Sequence, residues 1–253
     1  ICSANVYINS YTIKEALDQG ANMVLAGRVS DPGLTLGPLL HEFKWNNNEY
    51  NKLASGTLAG HIIECGAQCT GGNFSKWYDV KNLSNIGYPI VEVSENGDFV
   101  VTKPENSGGL VNKLTVTEQI LYEMGDPKKY ISPDVCVDFT SFNLEDKGND
   151  TVLIKNVRGF IPTNTYKVSI SYFAGYKASG HLTICGPNAY DKAKKTAQVI
   201  WERLKMDGVT FSDKNTEFLG FSSCHKSINT TYNGSNEIVL RLSVKDKDKD
   251  KVS

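Results

Sequence analysis

The chain has 253 residues, 40% of them apolar, with 27 basic and 28 acidic side chains and a formal net charge of −1. A chain of that size and composition buries a full core, in one large domain or two small ones, and its balanced charge excludes a whole-molecule attraction to nucleic acid or to an anionic membrane. No apolar run reaches the roughly 18 to 20 residues that span a bilayer, so a soluble protein of the cytoplasm, or of the mitochondrion, is expected.

Nothing at the start resembles a signal peptide. The chain opens on Ile1 without an initiator methionine, so a piece of a longer protein is expected. Cys2, Cys65, Cys69, Cys136, Cys185 and Cys224 make no disulfide framework and are read as reduced thiols. N-x-S/T sequons at Asn73, Asn82, Asn149, Asn229 and Asn233 are chance matches in an asparagine-rich chain.

In chain order, "YTIKEALDQ" puts Ile13, Ala16 and Leu17 on one helical stripe, and Gly20 supplies the stop. "NMVLAGR" then has the composition of a strand buried on both faces. Ligands of open α/β sheets bind beyond the carboxyl ends of strands, where Arg28 and Asp31 stand. The bland alternative is a turn, Asp31-Pro32-Gly33, with Arg28 and Asp31 as a local ion pair.

"LTLGPLLHEF" reads as a short helix. A second helix from about Glu49 carries Leu53, Leu58, His61, Ile62 and Cys65 on its apolar face, with Gly56 and Gly60 permitting close approach of another element. It runs into "GHIIECGAQCTGGNF". His61, Cys65 and Cys69 do not complete a zinc set, which needs three or four ligands, so no metal is expected. Cys65 is a nucleophile of second rank, because the carboxyl end of a helix disfavours a thiolate. The favoured reading is a glycine loop: Gly71 and Gly72 offer backbone N–H groups, and Gln68 and Thr70 neutral donors and acceptors, to a carboxylate, carbonyl or phosphate.

From Pro89, "PIVEVSENGDFVVTK" is a hairpin about Asn96-Gly97. Lys103 and the Gly108-Gly109 loop follow, a possible second half of an anion site at the start of a helix. That helix is placed at Thr115 to Met124, with Thr115 and Glu118 as a capping box. The spacing is not that of a nucleotide-hydrolysing phosphate loop. Four strand-like runs, "DVCVDFTSF", "DTVLIKNVRGF", "TYKVSISYF" and "HLTICG", predict a meandering sheet. One long helix with Ala189, Ala193, Ala197, Ile200 and Leu204 on its buried stripe packs on it, and "NEIVLRLSV" is the last strand. No internal repeat is visible.

The expected fold is α/β, with mixed sheet layers, packed helices and a strand-rich second half. Residues 1–132 form an α/β portion carrying the glycine loops, residues 133–243 a strand-rich portion of the same compact unit, and residues 244–253 a charged, disordered tail.

The stretches "ANVYINSYTIKEALDQGANMVLAGRVSDPGLTLGPLLHEFKW", "LASGTLAGHIIECGAQCTGG", "GYPIVEVSENGDFVVTKPENSGGLV" and "KVSISYFAGYKASGHLTICG" resemble the acyclic terpene utilisation AtuA family. Its recurring motifs fall on Gly27, Arg28, Asp31 and Pro32, on Glu64 to Gln68 and Thr70 to Gly72, and on Lys103, Gly108 and Gly109, with Ala26 where relatives carry threonine. The resemblance implies a role in terpenoid or branched-chain acyl catabolism. Arg28 and Lys103 would hold an anionic or CoA-linked acyl substrate, and Asp31 or Glu64 would transfer a proton. The alternatives are a non-catalytic subunit that binds a ligand or partners an acyl-CoA carboxylase, and a homo-oligomer whose glycine stripes are packing surfaces. No cofactor is expected.

Overall fold

The computed structural model describes residues 1–221, 223–224 and 236–253, so the sequons at Asn229 and Asn233 lie outside the described residues. Two compact units form: one of residues Ser3–Ser171, the other of Tyr172–Ser253 with Ile1–Cys2. The division therefore falls at residue 171 rather than near residue 132. Among the described residues the fold is mixed α/β, with five α-helices and twelve strands in four antiparallel sheets.

In the larger unit, α1 (Tyr11–Asp18) packs on α2 (Gly33–Phe43), which packs on α3 (Tyr50–Ile63). The third helix is buried from Leu53 to Ile62 on every side, as its small residues allow. Its Leu53, Leu58 and Ile62 enter a core completed by Phe99, Val101, Val152 and Ile154. These four come from a sheet in the order β2 (Ile90–Val93), β3 (Phe99–Thr102), β7 (Thr151–Lys155), β6 (Asn143–Gly148). The Asn96-Gly97 hairpin joins β2 to β3 as predicted, with Gly97 at φ 91°.

Three local expectations are corrected. Residues 22–28 form no strand, and Met23 and Leu25 are 88% and 99% exposed. A strand buried on both faces needs neighbours on both edges, whereas the described residues supply one parallel bridge, Ile8 to Val29. Helix α4 spans Lys113–Leu121 and is capped by Asn112, whose side chain accepts from the Leu114 and Thr115 amides while the Thr115 hydroxyl closes the box. Glu118 instead accepts from the Ser75 amide. Thirdly, the predicted meander is distributed: β5 (Cys136–Asp138) pairs with β4 (Tyr130–Ile131) and β8 (Arg158–Phe160), while β9 (Val168–Ser171) pairs with β1 (Ser3–Val6).

In the smaller unit, α5 (Ala189–Met206) lies on a sheet in the order β10 (Tyr176–Cys185), β12 (Glu237–Asp246), β11 (Asp213–Leu219). Ala189, Ala193 and Ala197 face Ile238 and Leu240, the stripe predicted for this helix. The last strand continues through Val244, Lys245 and Asp246, which pair with Ala178, Lys177 and Tyr176, so the expected tail starts inside a strand. The terminal residues curl into a turn, with the Val252 and Ser253 amides donating to the Lys249 carbonyl.

Candidate functional site

The turn after residue 27 is held by the bridge between Ile8 and Val29, in which the Ser30 amide donates to the Ile8 carbonyl at 3.0 Å. Arg28 is exposed, its guanidinium 5.0 Å from the centre of the Tyr7 ring, and it forms no ion pair among the described residues. The local Arg28–Asp31 pair that would have made this a closed turn is absent. Both side chains line an open hollow of about 420 Å³ with Asn5, Gly27, Val29 and Leu34.

Pro32, the next residue, packs against α3 at Gly60. That contact sets Asp31 near the end of α3, where Glu64 and Cys65 lie one turn beyond Gly60. Three carboxylates, of Glu64, Glu123 and Asp31, act on the Cys65 thiol and again on the Tyr130 hydroxyl. Burial raises the Cys65 thiol first of all; a hydrogen bond from Gln119 opposes this, and the three charges reinforce it. Burial likewise pushes Tyr130 up, with the same charges adding to it. Asp31 thus acts through its charge on Cys65, which adjoins Glu64 in the chain.

This neighbourhood also holds buried polar atoms with no hydrogen-bond partner among the described residues. His61 is buried between Tyr130 and Phe139, with ring centroids 5.6 and 5.5 Å away, and its Nε2 lies 3.2 Å from the Ile120 carbonyl. A carbonyl only accepts, so Nε2 carries the hydrogen. Nδ1 lies 3.2 Å from Glu64 Oε1, within ion-pair distance but out of hydrogen-bond alignment. Glu64 Oε2 and Gln119 Oε1 are buried and unpartnered as well, while Gln119 Nε2 donates to the His61 carbonyl at 2.8 Å. Buried polar groups are normally satisfied, so three such atoms in one place mark a site with acceptors to spare. Among the described residues no group of three or more His, Cys, Asp or Glu side chains is arranged to hold a metal ion.

The glycine loops meet, but differently from the sequence expectation. The Leu110 amide donates to the Thr70 carbonyl at 2.8 Å, and the Gly87 amide to the Gly108 carbonyl at 3.3 Å, so residues 66–72, 81–87 and 104–111 converge. Their own amides are engaged in the same packing: Gly71 donates to Gln68, Gly72 to Ala67, Gly108 to Asn85 and Gly109 to Lys81. The Thr70 hydroxyl bonds the Ala67 and Gly87 carbonyls. The Lys103 side chain is largely covered, its ammonium 3.2 Å from Asp150 and 3.0 Å from the Ser107 carbonyl. The N–H groups expected to face an anion therefore face carbonyls of the chain, and neither Lys103 nor these loops line the hollow of Arg28.

Glu123, Gln119 and Tyr130 were not singled out by sequence. Gln119 carries the one legible signal, a polar side chain three residues from Val116 on the buried stripe of α4. The thiol environments give a direct expectation: iodoacetamide at neutral pH modifies the exposed Cys2 and Cys185 well before Cys65, and leaves Cys69, pushed up to about 12 by burial, untouched. Peptide mass spectrometry over a time course reads this, and labelling of Cys65 ahead of Cys2 contradicts it.

The family model described as acyclic terpene utilisation family protein AtuA matches residues 1–253, and the chain belongs to that family. No curated protein and no solved structure matches it.

Proposed function

We propose that this AtuA-family protein is an enzyme that takes an acyl substrate of acyclic terpene breakdown, as a free acid or a CoA thioester, and moves a proton on it. The observation that carries the reading is the gathering of Asp31, Glu64 and Glu123 about Cys65 beside buried acceptors that have no partner. Arg28, which has no carboxylate partner among the described residues, is the group for the anionic end of the substrate. Asp31 lines the same hollow and also acts on Cys65, so it stands between bound anion and carboxylate cluster. Glu64 offers a proton two places to rest: Oε1 faces His61 Nδ1, and Oε2 is buried and vacant of partners. Cys65, held as a thiol, is not the nucleophile of this scheme.

Selective stabilisation by an acyclic terpenoid acid or its CoA thioester, read by thermal shift, tests binding through linkage. Arg28→Ala is expected to weaken it about tenfold, the loss of one charge-assisted contact. Asp31→Asn and Glu64→Gln retain binding and reduce turnover by about 10²- to 10⁴-fold for whichever carboxylate carries the proton. Full turnover in both removes these carboxylates from the chemistry, and a wild-type protein that binds such a ligand without turning it over removes the enzyme reading.

A second reading has its own observation. Met23 and Leu25 lie in an apolar run yet are 88% and 99% exposed, the character of a surface that meets another chain. On that reading the protein is a non-catalytic subunit, partnering an acyl-CoA carboxylase or a second copy of itself. Substitution of both residues by Ser then abolishes assembly and leaves ligand binding intact.

A further inference from the structure

The smaller unit contains a feature independent of the proton-transfer reading. Helix α5 sits close to its sheet along Ala189, Ala193 and Ala197, which are almost wholly buried. At its other end Ile200, Trp201 and Leu204 are larger and only half-buried. Between this end and the sheet lies a cavity of about 350 Å³, floored by Ala178, Gly180 and Leu182 of β10 and by Leu240, Leu242 and Val244 of β12.

Gly180 is the residue that calls for an explanation. Glycine inside a strand weakens it, and usually marks a bulge, a tight bend or a close approach of backbone or ligand. The pairing of β10 with β12 runs from Tyr176 to Cys185 without a register break, so there is no bulge. Its φ is not positive, and a Cβ built on it would meet nothing within 4 Å. Among the described residues neither conformation nor packing requires glycine here. What its missing side chain provides is the space above it.

The lining is apolar except at two points, Lys251 and His181, and it includes no acidic side chain. The nearby Asp246 carboxylate is held by the Ser212 amide and hydroxyl and by the Asp248 amide; the Lys251 charge helps to lower it, but the two are not within ion-pair distance. The volume is near the lower end of the roughly 300–1,000 Å³ usual for small-molecule sites, enough for one chain and a head group but not for a nucleotide-bearing thioester. We infer that this wedge binds an acyclic aliphatic carboxylic acid, with its hydrocarbon chain over Gly180 beneath Trp201 and Leu204 and its carboxylate at Lys251.

Isothermal titration of the full chain with decanoate, octanoate and decan-1-ol tests this. Decanoate is expected to bind about tenfold more tightly than octanoate, the effect of two buried methylenes. Gly180→Phe fills the wedge and removes decanoate binding without lowering the melting temperature, while Gly180→Ala, whose methyl meets open space, retains it. Lys251→Ala weakens decanoate about tenfold and leaves decan-1-ol unchanged. A CoA thioester, too large for the wedge, still stabilises Gly180→Phe in thermal shift, which separates this site from the one proposed above. Wild-type decanoate affinity in Gly180→Phe, or equal loss of acid and alcohol in Lys251→Ala, overturns the inference. So does a dimer in sedimentation velocity that Gly180→Phe dissociates, since a second copy would then fill the wedge. Should Gly180→Phe fail to fold, the Lys251→Ala comparison still decides.

Discussion

Gly60→Val is expected to destabilise the larger unit by about 1–3 kcal/mol, the usual result of overpacking a filled interior. A Cβ on Gly60 would lie 2.6 Å from the Pro32 carbonyl oxygen and 2.7 Å from its Cα. Both are backbone atoms, and neither partner has room to retreat. The Pro32 carbonyl accepts from the Thr35 and Leu36 amides and so starts α2, while α3 is buried all round. Gly56→Ala is the instructive control. Its Cβ would come 2.7 Å from Leu36 Cδ1, the far end of a side chain that can rotate, so a smaller loss is expected. Urea midpoints at constant m-value measure the difference. The variant has a second readout, because the contact at Gly60 is what sets Asp31 near Cys65. Prising the Pro32 turn from α3 removes one of the charges that raise the thiol and admits water to it. Cys65 in Gly60→Val is therefore expected to alkylate faster than in the wild type, and an unchanged rate would show that the turn had not moved.

Gly60 also illustrates which parts of the fold were legible in sequence. A glycine pair four apart on a helix is a local pattern, and close approach followed from it directly: Gly56 meets α2 and Gly60 meets Pro32. The Asn96-Gly97 hairpin and the alanine stripe of α5 were legible for the same reason, since each is fixed by residues adjacent in the chain or one helical turn apart. The run at residues 22–28 was misread because apolar composition records a tendency to be buried, not the neighbours that would do it. The start of α4 was misplaced because Thr115 can both begin a capping box and complete one, and Asn112 decided between them.

The candidate site divides along the same line. Asp31, Glu64 and Cys65 could be named, two of them adjacent in the chain and the third beside a proline turn. Glu123, Gln119 and Tyr130 join them only through the packing of α4 and β4 against α3, contacts that span more than fifty residues. The glycine loops show a different limit. Residue type predicted turns with amides to offer, and turns formed, but only the packed arrangement determines what those amides face. Here they face the Gln68, Ala67, Asn85 and Lys81 carbonyls.

Asp150→Ala is expected to cost about 3 kcal/mol, more than any other single change in this loop cluster. Lys103 has 8% of its side chain exposed and Asp150 has 34%, so the two partners of this ion pair are not equivalent. Lys103→Met leaves a carboxylate that water can reach, whereas Asp150→Ala leaves an ammonium that it cannot, with only the Ser107 carbonyl for company. Asp150 carries a second duty, since its Oδ1 accepts from the buried Val111 amide at 2.8 Å. One side chain thus ties Lys103 at the start of the loop to Val111 at its end. Its loss should expose residues 104–109 to limited proteolysis before the rest of the larger unit unfolds. Comparison of the two variants also determines what Lys103 is for. If Lys103 is a strut, Lys103→Met lowers the urea midpoint modestly and leaves terpenoid-acid binding unchanged. If it holds an anionic substrate, binding falls by an order of magnitude or more while the midpoint barely moves. An Asp150→Ala protein no less stable than Lys103→Met would mean that the ammonium finds water after all, and the asymmetry drawn from burial would be wrong.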